Sequence, residues 1–122
     1  MKPINLPIFP LKLVVLPGTI QGLQIFEPRY LNMVKQCMSS DSNFVISYKS
    51  DRFDDFDFGI EKVGTSVQIV DFNNLPNGLL GITVKAESKV SLNNIIQLED
   101  KSYLGEVLPL TEPEVDDQSL LA

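Results

Sequence analysis

Four prolines, Pro3, Pro7, Pro10 and Pro17, interrupt the apolar opening stretch MKPINLPIFPLKLVVLPG. Proline has no N–H to donate, and its ring clashes with the preceding helical turn, so this spacing forbids a continuous apolar helix. Lys12 adds a charge to the middle of the stretch. No run approaches the ~20 apolar residues that span a bilayer, and the expected setting is cytoplasmic with no membrane partner. The opening must therefore be extended chain. Proline also weakens a ladder, so residues 4–11, INLPIFPL, are expected as an edge strand or one paired on one side only. Residues 12–18, KLVVLPG, add a short apolar piece that ends in the turn signal Pro17-Gly18. Residues 19–26, TIQGLQIF, continue extended, with an expected bulge at Gly22.

The periodicity changes after that. In residues 28–38, PRYLNMVKQCM, the side chains Tyr30, Leu31, Val34, Cys37 and Met38 recur at steps of three and four, which predicts a helix. Pro28 suits its first position, where a missing N–H costs little. Lys35 is expected near the C-terminal end, where positive charge favours the dipole. Beyond residue 43 the chain alternates. Phe44, Ile46 and Tyr48 alternate with Val45, Ser47 and Lys49, and Val67 and Ile69 with Ser66 and Gln68. In 79–90, Leu80, Ile82, Val84, Ala86 and Val90 share one face, and Thr83, Lys85, Glu87 and Lys89 the other. The link NNLPNG (73–78) supplies Asn77-Gly78, a hairpin signal. Residues 102–110, SYLGEVLPL, form a last strand. The expected class is mainly β with one or two helices, a small β-barrel or folded-over sheet with a helix covering an open end.

A chain of 122 residues fits one domain and can bury roughly 65–70% of its unfolded surface. It needs no staple of metal or disulfide. The single Cys37 excludes an internal disulfide, and the absence of histidine removes most zinc sites, Cys–His and Ser–His catalysis, and imidazole base chemistry. Cys37 falls on the apolar stripe of the helix and reads as a buried, inert thiol. Ten basic against sixteen acidic residues give a net charge of −6, which argues against a phosphate-backbone binder. No cofactor and no catalytic residue is expected. Tyr48 and Tyr103 fit either a groove or the core.

The junction Phe26-Glu27-Pro28-Arg29-Tyr30 sits where extended chain becomes helix. With Glu27 as N-cap and Pro28 first in the helix, Phe26 precedes the cap and Leu31 is fourth in the helix, the arrangement of a hydrophobic staple. Glu27 places negative charge beside the unpaired N–H groups of the first turn. Arg29 can pair with Glu27 or with an acid from a neighbouring strand. A buried pair of this kind would favour conformational specificity over net stability. The five residues are expected to act as a structural hinge.

The segments LPIFPL (6–11), VVLPG (14–18), IFEPRYLNMV (25–34), VGTSVQI (63–69), LPNGLLGITVKAESKV (75–90) and YLGEVLPL (103–110) resemble, in that order, the LON N-terminal domain, the substrate-recognition module of the ATP-dependent Lon protease family. The family also includes stand-alone LON-domain proteins. The resemblance implies a PUA-like β-barrel over residues 1–110, with 111–122 an acidic tail or the start of a linker to a helical subdomain. It implies a protein-binding module for unfolded or hydrophobic-segment-bearing polypeptides. The alternative it leaves is a PUA-like nucleic-acid binder. The chain carries no P-loop and no Ser–Lys protease pair in a recognisable setting, so neither ATPase nor peptidase activity carries over. It departs from its relatives at 88–90, where Ser-Lys-Val stands in place of an Arg-Phe pair, and in the loop 51–58, DRFDDFDF.

That loop holds Asp51, Asp54, Asp55 and Asp57 among Phe53, Phe56 and Phe58. The oxygen spacing of a calcium loop fails, because phenylalanine occupies ligand positions. Aromatic rings are enriched at interfaces, and Phe53, Phe56 and Phe58 are the candidate partner-binding residues. The alternative is that the rings tuck into the core while the acids face water.

Overall fold

A computed structural model describes residues 4–50 and 57–110. Six strands and one helix follow in the order β1 (Ile4–Leu11), β2 (Ile20–Ile25), α1 (Pro28–Ser40), β3 (Phe44–Lys49), β4 (Ile60–Asn74), β5 (Leu80–Gln97) and β6 (Tyr103–Pro109). Short 3-10 turns occupy Asp57–Gly59 and Pro76–Gly78. Phe53, Phe56 and the tail 111–122 lie outside the described residues, as does most of the acidic loop.

The sheet order is β2-β5-β4-β3-β1-β6, with β6 returning to pair with β5. β5 makes this possible by serving three neighbours. It pairs with β2 over Leu80–Lys85, with β4 over Leu80–Ser91, and with β6 over Val90–Gln97. Closure uses only the far half of one long strand, so the result is a folded-over sheet and not a regular barrel. A bulge between Asn93 and Ile96, with Asn94 at φ +50°, lets β5 bend there.

β1 shows how the prolines are accommodated. Ile4–Ile8 pairs antiparallel with β6, and Ile8–Leu11 pairs parallel with β3. β1 is therefore not an edge strand, but its two halves are each paired on one side, meeting at Ile8. Pro7 faces only Leu104, and Pro10 faces only Ser47. Each missing N–H falls where the ladder has one neighbour. The parallel β1–β3 pairing requires a long crossover, which β2 and α1 supply. β2 pairs with β5 without a register shift, so the bulge expected at Gly22 is absent.

Two cores result. The larger gathers Phe9, Ile25, Phe44, Ile46, Val67, Ile82 and Val84 beneath Tyr30, Met33, Val34 and Cys37 of α1. The smaller holds Ile8, Val45, Ile60, Val90, Leu92, Tyr103 and Val107. β3 lies between them: Phe44 and Ile46 enter one core and Val45 the other. That explains why its first four residues are all buried despite their alternation. The buried stripe of α1 is Tyr30, Met33, Val34 and Cys37. Met38, expected on it, is 37% exposed, and Met33 takes the inward place. The helix also runs two residues beyond the expected end, so Lys35 lies outside its last turn.

Candidate functional site: a pinned apolar strap beside β3 and β4

Residues 12–18 do not form a strand; they cross the sheet as a strap. Four hydrogen bonds hold it. The Thr65 hydroxyl donates to the Val15 carbonyl at 2.7 Å within the protein interior. The Gly18 N–H donates to the Ala86 carbonyl, and the Ala86 N–H returns to the Thr19 carbonyl, both at 2.9 Å. The Thr19 hydroxyl closes the turn on the Leu16 carbonyl at 2.6 Å. Pro17 stands second in that turn and Gly18 third, at φ +86°, the pattern of a type II turn that only a residue without Cβ adopts cheaply. The Val15 side chain is buried in the larger core.

With Val15 turned inward, its neighbours point out. Val14 is 69% exposed, Leu16 58% and Leu13 36%. Opposite them, Tyr48 is 42% exposed and Val63 49%. These side chains line a single open groove of about 280 Å³, floored by Ile46, Gly64 and Thr65, with Glu61 and Lys89 also on its lining. Single exposed apolar residues are ordinary; several around one concavity mark a contact surface. A larger depression of about 510 Å³ lies among Ile4, Leu6, Ser42, Asn43, Val107 and Pro109. There Val90 and Val107 are buried, and Asn43 Nδ2 is already engaged with Ser66 Oγ at 3.0 Å and Glu87 at 2.7 Å. Ile4, 59% exposed, adds apolar surface to the rim of this depression.

The residues expected as a hinge, Phe26 to Tyr30, lie elsewhere, at the start of α1. Glu27 is the N-cap and Pro28 the first helical residue, but the Glu27 side chain makes no capping hydrogen bond. Its carbonyl instead accepts the N–H groups of Tyr30 at 3.0 Å and Leu31 at 2.9 Å. Phe26 is 65% exposed and does not pack as a staple. Tyr30 anchors the helix, its ring 4.4 Å from that of Phe9. Arg29 reaches the Glu27 carboxylate with Nε and Nη2, each at 3.1 Å, and donates from Nη1 to the Lys101 carbonyl at 2.8 Å. The Glu27 side chain is 43% exposed, so the pair is not the buried one the sequence suggested and contributes little on its own.

Arg29 also links the start of α1 to the one described member of the phenylalanine trio. Its guanidinium lies 4.7 Å from the Tyr30 ring centre and 5.7 Å from that of Tyr103. Tyr103 in turn packs against Phe58 at 5.2 Å. Phe58 is 46% exposed and sits at φ +65°, a conformation that costs an aromatic residue free energy. Tyr103 belongs to the core and Tyr48 to the groove, which resolves the alternatives left by the sequence.

Burial of Tyr30 pushes its phenol up to about 12, although the adjacent Arg29 charge pulls the other way. The ordinary value is 10.0, so the folded state holds this proton more tightly than the unfolded chain does. The resulting stabilisation is complete below pH 10 and disappears as pH rises towards 12. In urea titrations, the wild-type midpoint is expected to fall across that interval. Tyr30→Phe, compared with its own midpoint at pH 8, is expected to fall less.

Burial alone would lower the Arg29 guanidinium, but Tyr30, Glu27 and hydrogen bonds to Tyr103 and Glu27 outweigh it and raise the value. Arg29 therefore stays charged at every working pH. Cys37 is 2% exposed, and burial pushes its thiol up, away from nucleophilic character. Among the described residues, no group of three His, Cys, Asp or Glu side chains converges as a metal site. No described helix is long and apolar enough to cross a membrane.

The class defined here is a mainly β domain built as a folded-over sheet with one seated helix, whose accessible groove is apolar. Residues 5–122 match the ATP-dependent protease La (LON) substrate-binding domain, and the chain belongs to that family. It is 29% identical over 120 residues to Lon protease 1 of Thermus thermophilus, covering 96% of this chain and 15% of that protein. It is 26% identical over 119 residues to the Lon protease of Halothermothrix orenii, covering 94% and 15%. The chain thus spans about 15% of the length of these curated relatives. Among solved structures it is similar to a Lon N-terminal domain protein from Xanthomonas campestris, with TM-score 0.77, 28% identity and coverage of 97% and 74%. The N-terminal domain of the Mycobacterium avium complex Lon protease shares the fold at TM-score 0.71 and 15% identity, with coverage of 97% and 63%.

The strap residues Leu13, Val14 and Leu16 were not singled out from the sequence. The signal was present: four consecutive apolar residues, Leu13 to Leu16, cannot all face one side of a strand.

Proposed function

We propose that the chain is a protein-binding module that carries out no chemistry itself and recognises polypeptide substrates through apolar surface. The observation that carries this reading is the groove in which Leu13, Val14, Leu16, Tyr48 and Val63 stand exposed around one concavity. Because the strap is hydrogen-bonded at Val15, Gly18 and Thr19, the ridge is already ordered before a partner arrives, which reduces the entropy lost on binding. Membership of a substrate-binding domain family supports the same reading. The docking unit comprises residues 1–110, with a cytoplasmic setting that suits a chain with one unpaired cysteine. Phe26–Tyr30 act as the hinge that seats α1, and Phe53, Phe56 and Phe58 are candidates for a second contact with partners.

Fluorescence anisotropy with a permanently unfolded reporter polypeptide tests this. Val14→Asp/Leu16→Asp is expected to weaken capture at least about tenfold, since burying each such side chain contributes about 1.5–3 kcal/mol. Both residues are solvent-facing, so the thermal midpoint is expected to stay within a few degrees of wild type. Phe72→Ser, at a residue 52% exposed outside the groove, serves as the control and should leave capture unchanged. Equal capture by the strap variant and wild type would remove the groove from the account. Unchanged capture by Phe53→Ser/Phe56→Ser would remove the phenylalanine loop alone.

A further inference from the structure

β2 ends the sheet. Among the described residues it pairs with β5 on one side and with no strand on the other. Backbone groups of an antiparallel strand point alternately to its two sides. The Thr19 carbonyl accepts the Ala86 N–H, so Gln21, Leu23 and Ile25 bond to β5, and Ile20, Gly22 and Gln24 turn their N–H and C=O groups outward. All three of these outward residues are exposed. The Gly22 carbonyl accepts the side-chain amide of Gln21 at 3.0 Å, as an outward-facing carbonyl can. The rest of the row is open, and an open row of this kind is a template for another strand.

The other open edge of the sheet is blunted. The ladder between β3 and β4 ends at Val67, and β4 continues to Asn74 beside β5. A register shift between Ile69 and Asp71 disrupts that run, and the Asp71 carboxylate accepts the Phe72 N–H at 2.8 Å. Bulges and charges are the usual means of keeping an edge from pairing. β2 has neither. It runs without a register shift, and its sequence IQGLQI contains no charge and no proline. At Gly22, in the middle of the row, no side chain stands in the way, and even a Cβ would meet nothing within 4 Å.

We infer that β2 captures an extended segment of a substrate polypeptide, uninterrupted by proline, as an added strand. This deepens the proposed function and rests on it. The edge itself specifies the occupant: a row of backbone donors and acceptors is matched by another extended backbone, and main-chain bonds form whatever the side chains. The polypeptide is the one held in the groove, because Leu16 on the groove lining is joined to Ile20 by a single turn, closed by the Thr19 N–H on the Leu16 carbonyl. Side chains of the added strand would meet Leu23, packed against the larger core, on one face and Ile20, 66% exposed, on the other. A second copy fits less well. Pairing of β2 with itself about a two-fold axis at Gly22 would place at its centre two Gly22 carbonyls, each already engaged by its own Gln21 amide. It would also bring together two chains of net charge −6.

The experiment uses the 122-residue chain and a labelled peptide of alternating valine and serine. Amide hydrogen exchange followed by NMR gives the direct signature. With saturating peptide, the Ile20, Gly22 and Gln24 amides are expected to exchange at least about tenfold more slowly. Those of Gln21, Leu23 and Ile25, already bonded to β5, should change little. Methylating the peptide's backbone nitrogens at its valines, or instead at its serines, removes the donors along one of its two edges. One of these two forms is expected to bind at least about tenfold more weakly than the parent, and the other within about threefold of it. Gly22→Pro deletes an outward donor and leaves the β5 ladder intact, a place where an edge strand tolerates proline. It should weaken binding at least about fivefold, and the methylated peptides carry the test if that variant does not fold. Unchanged exchange at Ile20, Gly22 and Gln24 while the Leu13 to Leu16 amide signals shift overturns strand addition and leaves the groove reading standing. Equal binding of the parent and both methylated peptides does the same. Protection of the three amides that grows with protein concentration in the absence of peptide gives the edge to a second copy and overturns the inference. Failure of the parent peptide to bind overturns both the inference and the groove reading.

Discussion

Replacing Phe44 with alanine is expected to lower the unfolding free energy by about 3–5 kcal/mol. The ring is fully buried in the larger core and lies 6.3 Å from Phe9. Phe9 packs on Tyr30, which anchors α1. Truncating Phe44 therefore opens a cavity between the central strand and the rings that seat the helix, and neighbours fixed by β-ladders on both sides have little freedom to collapse into it. Domains of this kind are stable by about 5–15 kcal/mol, so the variant should unfold at much lower urea, and its melting temperature should fall by more than 10 °C. Urea titration by circular dichroism measures the effect. A loss below about 1 kcal/mol would contradict the placement of Phe44 beneath α1.

The second large effect is expected at Gly64, in β4 between Ser47 of β3 and Val90 of β5. A Cβ built there would lie 2.6 Å from Val45 Cγ1 and 2.9 Å from the Ile46 carbonyl oxygen. The first obstacle is a buried β-branched side chain and the second is backbone, so neither can move away cheaply. The crowding occurs close to a register shift between Ser47 and Lys49, where the Ser47 hydroxyl donates to the Glu61 carbonyl at 2.7 Å. Gly64→Ala is expected to destabilise by about 1–3 kcal/mol, the usual cost of overpacking. Gly22 supplies the comparison, because a Cβ there meets nothing within 4 Å. Gly22→Ala should be neutral or slightly stabilising, since it lowers the entropy of the unfolded chain. Equal losses at the two positions would show that strand glycines act here through backbone entropy and not through the close approach of β3 and β4.

The parts of this fold that could be read in the chain are those whose residues report on their own surroundings. Alternation in 44–49 and 79–90 marked β3 and the first part of β5, and Asn77-Gly78 marked the turn that joins β4 to β5, where both residues have positive φ. Pro28 marked the start of α1. The parts that could not be read depend on distant partners. β5 continues to Gln97 because β6 returns to pair with it, a long-range event with no trace in the Asn93-Asn94-Ile95 stretch. The Arg29 side chain is positioned by the carbonyl of Lys101, 72 residues away. The strap misleads for a different reason. Apolar sequence argues for burial, yet Thr65 and Ala86 hold its backbone so that Val15 is buried and Val14 and Leu16 are not. The groove therefore becomes visible only once strands distant in sequence are placed side by side.

The most direct measurement is the shift of backbone amide signals as an unfolded polypeptide is titrated into the 122-residue chain. The largest changes are expected on the strap from Leu13 to Leu16 and on the facing strands at Ile46, Tyr48, Val63 and Thr65, with α1 little affected. Changes confined to α1 and the 98–104 turn, or no saturable change at all, would show that polypeptides are captured elsewhere on the molecule or not captured by it.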